Sequence, residues 1–138
     1  MKLDGRLVAL TTPIAADAGV RLIPTKDAEG LEVMRHSAAH VMAQAVLRVH
    51  KDAKLTIGPV VDGGFYYDVD MPPLSEEAFA DIEAEMKKIV KARLPIHRKH
   101  VSKEEALAFY AGEPYKLEMI SELDDGTISF YEQGEFTD

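Results

Sequence analysis

In LTIGPVVDGGFYYDVD, residues 55–70, two runs of β-branched and aromatic residues flank Asp62-Gly63-Gly64. That pattern predicts a β-hairpin closed by a glycine turn. Gly58, Gly63 and Gly64 permit backbone conformations and close approaches barred to other residues. Tyr66 and Tyr67 are neighbours on a strand, so they face opposite sides. One packs, and the other is free to reach a pocket. Taken alone, the stretch is an ordinary glycine-turn hairpin with aromatic cross-strand pairs.

Upstream, Leu31, Met34, Ala38, Val41, Ala45 and Val49 recur at helical spacing and predict a helix over 31–50 with one buried stripe. Residues 1–24 predict two short strands, Arg6–Leu10 and Val20–Ile23, joined by a turn around Pro13 and Gly19. The polar run at 25–30 is a linker. Downstream, Pro72 and Pro73 break the chain, and Ser75 followed by Glu76 and Glu77 opens a second helix reaching Arg93. A strand over 95–101 follows. Ser102 and Glu105 form a capping box for a short helix over 103–110. Gly112–Pro114 turns into another helix over 115–123, and Asp124-Asp125-Gly126 leads to a last strand over 127–131. There is no repeat and no low-complexity tract. The fold class is α+β, with helices packed on one face of an antiparallel or mixed sheet.

The 138 residues are 46% hydrophobic, enough for a packed core and against disorder. No apolar run approaches the roughly 18–20 residues of a membrane span, and the first ten residues lack the apolar centre of a signal peptide. With no cysteine there is no disulfide framework, thiol nucleophile or thiolate metal site. The expected location is the cytoplasm. A net charge of −8 argues against a simple nucleic-acid coat. The charge is uneven, however. Lys87, Lys88, Lys91, Arg93, Arg98, Lys99 and Lys103 lie together with His97 and His100 and no acid between them. That segment is either a solvated face or a surface turned to RNA.

His36 and His40 are four residues apart on the long helix, so both rings point the same way. They lie roughly opposite the apolar stripe, flanked by Val33, Ala43 and Leu47 where an exposed helix would carry Lys and Glu. The helix is therefore expected to be buried on two faces, one of them a pocket wall. Such a pair suits two zinc ligands, acid–base and water-positioning work, or hydrogen bonding to a ribose and phosphate. It equally suits two satisfied histidines without a role. A protease-type HExxH is excluded by Ser37. Zinc is disfavoured because a stable site needs three or four protein ligands.

Three strings occur in one order and spacing: Arg35-His36-Ser37-Ala38-Ala39-His40, then Ile57 through Asp68, then Pro114-Tyr115-Lys116. Together they resemble the second N-terminal domain of threonyl-tRNA synthetases, the editing domain. The resemblance runs over 26–138, and residues 1–25 resemble the closing strands of the small β-grasp TGS domain that precedes it in that family. It implies hydrolysis of serine wrongly esterified to threonine tRNA, in a cleft that holds the terminal adenosine. By resemblance His36, His40 and Lys116 are the catalytic positions, and Tyr67, Asp138 and Gly58 bind substrate. It also implies that the chain stops short of a later C-x-x-x-H pair, so that full editing activity is not expected of it. ATP, magnesium and zinc would belong to the family's aminoacylation core, and no cofactor or complete metal site is expected here. The implied partners are the acceptor end of threonine tRNA with its mischarged serine and, in the whole enzyme, a second copy as homodimer; no membrane is implied. The alternative is a non-catalytic tRNA-binding or dimerising module.

Overall fold

A computed structural model describes residues 1–138. Its first element is a sheet of three two-residue strands, β1 (Lys2–Leu3), β2 (Arg6–Leu7) and β3 (Val20–Arg21), with β1 central and both neighbours antiparallel. This corrects the expected pairing of two strands through a Pro13–Gly19 turn. Leu3 and Arg6 are opposite each other, and Asp4 and Gly5 between them have φ of 47° and 81°. Both central residues are left-handed, the geometry of a two-residue hairpin turn that suits Asp-Gly. The signal was present in the sequence at Asp4-Gly5. Asp4 also accepts the backbone N–H of Gly19 at 2.8 Å, which aligns β3 on the other edge of β1.

Helix α1 spans Ala28–Val49. It is tied to the N-terminal sheet by an ion pair of Lys2 with Glu29, and by Gly30, where an added Cβ would lie 2.2 Å from the carbonyl oxygen of Pro24. Its second half is buried on nearly every side, from Ala39 through Val46 save Met42. The expected apolar stripe holds for Val41 and Ala45 and fails at Met34, which is 47% exposed. The reason is reach: the partner helix packs only against the C-terminal half. That partner, α2 (Glu76–Ala92), starts at Ser75, whose hydroxyl accepts the N–H of Ala78, and ends on Arg93 in a left-handed conformation. Val41, Ala45, Val46, Ala53, Ile82 and Ile89 form the core between the two helices.

The glycine-turn stretch is one ribbon in two pieces. β4 (Lys54–Leu55) pairs with β7 (Val69–Asp70), and β5 (Val60–Val61) pairs with β6 (Gly64–Phe65). Between the pieces residues 56–59 face only 66–68, so one strand carries one residue more than the other. This is a bulge, and it falls at Thr56-Ile57, which both face Asp68: the Thr56 N–H donates to the Asp68 carbonyl at 3.0 Å and the Asp68 N–H to the Ile57 carbonyl at 2.9 Å.

β8 (Ile96–His100), β9 (Ser129–Gln133) and β10 (Phe136–Thr137) form a second three-stranded sheet with β9 central. β10 was not expected. It is folded back by Gly134, whose φ of 61° opens a two-residue turn with Glu135. Between β8 and β9 lie α3 (Lys103–Phe109), closed by the Ser102–Glu105 capping box, and α4 (Pro114–Glu122), which begins on proline. They bury Val101, Ala106, Tyr110, Ile120, Ile128 and Phe130 together. Ala43, Leu55 and Phe136 join α1, the ribbon and β10. Every strand pair is antiparallel, so the architecture is α+β without the mixed sheet left open by the sequence.

Ile89 is fully buried at the centre of the α1–α2 contact. Truncating a buried isoleucine to alanine removes transfer energy and leaves a cavity, together about 2–5 kcal/mol. Ile89→Ala is expected to lower unfolding free energy in urea by that amount, whereas Val90→Ala, on the exposed side of the same turn, should change it by less than about 0.5 kcal/mol.

Candidate functional site

The small residues of α1 let the ribbon and β9 come close to the helix at His36 and His40. The two rings share one face, with centroids 4.4 Å apart and planes tilted by 50°. Both rest against Tyr131 of β9, at 5.2 and 5.6 Å, and His40 also meets the edge of Phe136. His40 is buried and His36 half-buried. Beside them opens a cleft of about 280 Å³, lined by His36, His40, Ile57, Gly58, Pro59, Lys116, Met119, Ser129, Tyr131 and Asp138. It lies just under the roughly 300–1,000 Å³ of small-molecule pockets.

Its polar centre is the Asp138 carboxylate. Oδ2 accepts the Tyr67 hydroxyl at 2.6 Å, and Oδ1 accepts the Lys116 ammonium. Lys116 Nζ also lies 3.4 Å from the Tyr67 hydroxyl and 5.8 Å from the centre of its ring. An ammonium has three donors, so one remains for a ligand. Gly58 makes the arrangement sterically feasible, because a Cβ there would lie 2.2 Å from Cδ2 of Tyr67. Gly58, just past the bulge, thus sets a bare backbone against the tyrosine ring, whose hydroxyl reaches Asp138. All six residues singled out from the sequence, His36, His40, Tyr67, Gly58, Lys116 and Asp138, meet around this cleft or its polar centre. Tyr66, on the opposite face of the ribbon, points to solvent.

Burial is the main electrostatic force at the site. It pushes His40 down to about 4, partly offset by the negative Asp138 and reinforced by His36 and Lys116. His40 is therefore neutral at pH 7, and its 3.6 Å approach to Asp138 is a dipolar contact and not an ion pair. Burial, with the charge of Asp138 and the hydrogen bond to it, drives the Tyr67 phenol far above its usual range and keeps it a neutral donor. His36 Nε2 is buried without a partner. No three histidine or carboxylate side chains gather closely enough to hold a metal ion.

Ser129, Tyr131, Met119, Ile57 and Pro59 also line the cleft and were not singled out from the sequence. The signal for the first two was the alternation of β9: Ser129 and Tyr131 share one face, while Phe130 turns into the core. Met119 is three residues beyond Lys116 on α4 and so shares its side.

The chain is thus an α+β domain with a small polar cleft, built on a neutral histidine pair and a lysine–aspartate–tyrosine knot. No family model matches it. By sequence it is homologous along its whole length to one segment of threonine–tRNA ligases. It is 61% identical over all 138 residues to the threonine–tRNA ligase of Desulfatibacillum aliphaticivorans and 59% identical to that of Desulfosudis oleivorans. Threonine–tRNA ligase 1 of Bacillus subtilis is 52% identical over 99% of the chain. The chain spans 22% of the length of each of these relatives. No helix is long and apolar enough to cross a membrane.

Two outcomes follow from this geometry. Gly58→Ala forces the Tyr67 ring aside; unfolding free energy should drop by about 1–3 kcal/mol, as for other overpacked sites, with the Tyr67 ring resonances shifted in the NMR spectrum. His40 binds a proton more readily unfolded, near 6.5, than folded, near 4. Its stabilising contribution is complete above pH 6.5 and is lost as pH falls toward 4, by up to about 3 kcal/mol. Denaturation at stepped pH should show that slope, and His40→Gln should flatten it.

Proposed function

We propose that the cleft receives the aminoacylated 3′-terminal adenosine of threonine tRNA and takes part in removing wrongly attached serine. In this assignment residues 26–138 form the editing domain, and residues 1–25 the closing strands of a TGS domain. The observation that carries it is the convergence of His36, His40, Gly58, Tyr67, Lys116 and Asp138, from four separate segments, on one cleft. Descent supports it as well, since the relatives are named threonine–tRNA ligases.

The chemical need is simple. Serine is threonine less one methyl, and a binding pocket gains only about 1–3 kcal/mol from such a group. A second, smaller site that admits serine and excludes threonine corrects the remainder. There, water adds to the ester carbonyl carbon, the bond to the ribose oxygen breaks, and that oxygen takes up a proton, leaving free serine and an intact RNA end. The free donor of Lys116 is suited to the oxygen that gains negative charge. With its proton affinity depressed to about 4, His40 is a weak general base at pH 7 and is better suited to accept a hydrogen bond from the attacking water. His36, with an unpaired ring nitrogen, suits a ribose hydroxyl. Asp138 and Tyr67 keep Lys116 in place.

A non-catalytic tRNA-binding role has one observation in its favour, the exposed basic strand β8. It calls for binding without cleavage.

The decisive measurement is hydrolysis of seryl and threonyl esters of a threonine-tRNA acceptor minihelix by a full-length threonine–tRNA ligase that carries this segment. The seryl ester is expected to be cleaved faster by about 10–150-fold, and Lys116→Ala should lower that rate. Equal rates on the two esters would sink the editing assignment. Binding of the minihelix with no cleavage of either ester would leave the binding role.

A further inference from the structure

β8 is exposed along its whole length and is the most basic strand of the chain, with His97, Arg98, Lys99 and His100 in succession. Register divides these side chains between two faces. His97 and Lys99 stand opposite Glu132 and Phe130, on the face that Phe130 turns to the α3–α4 core. Arg98 and His100 stand opposite Tyr131 and Ser129, and those two residues line the cleft. Arg98 and His100 are therefore at its outer rim.

The Arg98 side chain is held there. Nε and Nη2 donate to Ser129 Oγ at 3.2 and 3.0 Å, and the guanidinium carbon lies 5.9 Å from the centre of the Tyr131 ring. His100 Nδ1 lies 3.4 Å from the same hydroxyl. Restraint of this kind usually accompanies an ion pair, as at Arg48, which is bound by Glu85 and Glu135. Arg98 has no such partner, for none of the salt bridges of the fold includes it. A guanidinium has five donors, so three N–H groups remain, fixed in orientation and facing solvent beside the cleft. Inside the cleft the only side-chain cation is Lys116, which Asp138 compensates. At the mouth, Arg98 carries a positive charge with no carboxylate partner, in a protein of net charge −8.

We infer that Arg98, with His100 beside it, binds the 5′-phosphate of the nucleotide whose nucleoside occupies the cleft. The inference rests on the adenosine assignment made above and adds an anchoring residue outside the reacting centre. A terminal nucleotide carries one anion close to its sugar, and this phosphate must leave through the mouth because the strand continues from it. A planar fork of donors fits phosphate oxygens in pairs. Held from outside, the nucleoside is oriented with its esterified end toward Lys116. Arg98 is thus a positioning residue.

The test compares adenosine with adenosine 5′-monophosphate as ligands of the 138-residue chain, by calorimetry or NMR titration at two salt concentrations. A charge-assisted contact of about 1.5 kcal/mol makes the monophosphate roughly tenfold tighter, and salt should weaken its binding but not that of adenosine. Arg98→Ala should abolish the tenfold advantage and leave adenosine affinity unchanged, while Arg98→Lys retains part of the advantage. Equal affinity for the two ligands in the unaltered chain would overturn the phosphate site and leave the adenosine assignment standing. Loss of adenosine affinity in Arg98→Ala, equal to the loss for the monophosphate, would show Arg98 to be only a prop for Ser129 and Tyr131. If neither ligand binds, the adenosine assignment falls and the phosphate site with it.

Discussion

Asp138 accepts hydrogen bonds from a tyrosine of the ribbon and a lysine of α4, a few ångströms from a histidine of α1. Its carboxylate therefore holds three separately folded pieces to the end of the second sheet. A half-buried carboxylate left unpaired would be expensive, and here each oxygen has a strong donor. The short backbone hydrogen bonds between Asp138 and Tyr131 fix where that carboxylate stands relative to β9. Removing Lys116 would leave the carboxylate without its cationic partner.

The rest of the structure can be understood as support for that meeting. The α1–α2 core sets the long helix, and Arg48 ties it to α2 through Glu85 and to the β9–β10 turn through Glu135. Gln44 reaches Gln133 and Glu135 from the adjacent turn of the helix. The ribbon is attached to α4 by Lys54 with Glu113 and by Tyr115 with Asp70. These are polar ties between partly exposed groups, each worth little alone, but they define angles that a small apolar core leaves loose. The bulge at Thr56-Ile57 sets the register that puts Gly58 under the Tyr67 ring.

Electrostatically the cleft has an inside and an outside. Inside, burial keeps His40 neutral and Lys116 is compensated, so a ligand meets oriented dipoles and one free ammonium donor. That arrangement favours an ester carbonyl, whose oxygen gains negative charge only during reaction. Outside, Arg98 presents charge that nothing in the protein compensates. The division suits a ligand with an ester at its reacting end and an anionic tail.

The sequence by itself determined the local structure wherever a side chain acts on its own backbone. Ser75 and the Ser102–Glu105 box start their helices as read, Asp62-Gly63 turns the ribbon, and the i, i+4 spacing puts His36 and His40 on one face. The resemblance marked six of the residues that meet at the cleft, five of them in three short strings and Asp138 beyond them. The β1–β2 hairpin and β10 were also encoded locally, in Asp4-Gly5 and Gly134, but strands of two residues carry too little alternation to stand out. Only the tertiary structure decided the rest. The slip in register behind the bulge, the exposure of Met34 and the placing of Ser129 and Tyr131 in the cleft depend on which distant segments pack together. The same holds for the lowered proton affinity of His40 and for the unpaired state of Arg98. Burial and pairing are properties of neighbours brought from elsewhere in the chain, and no short-range pattern encodes them.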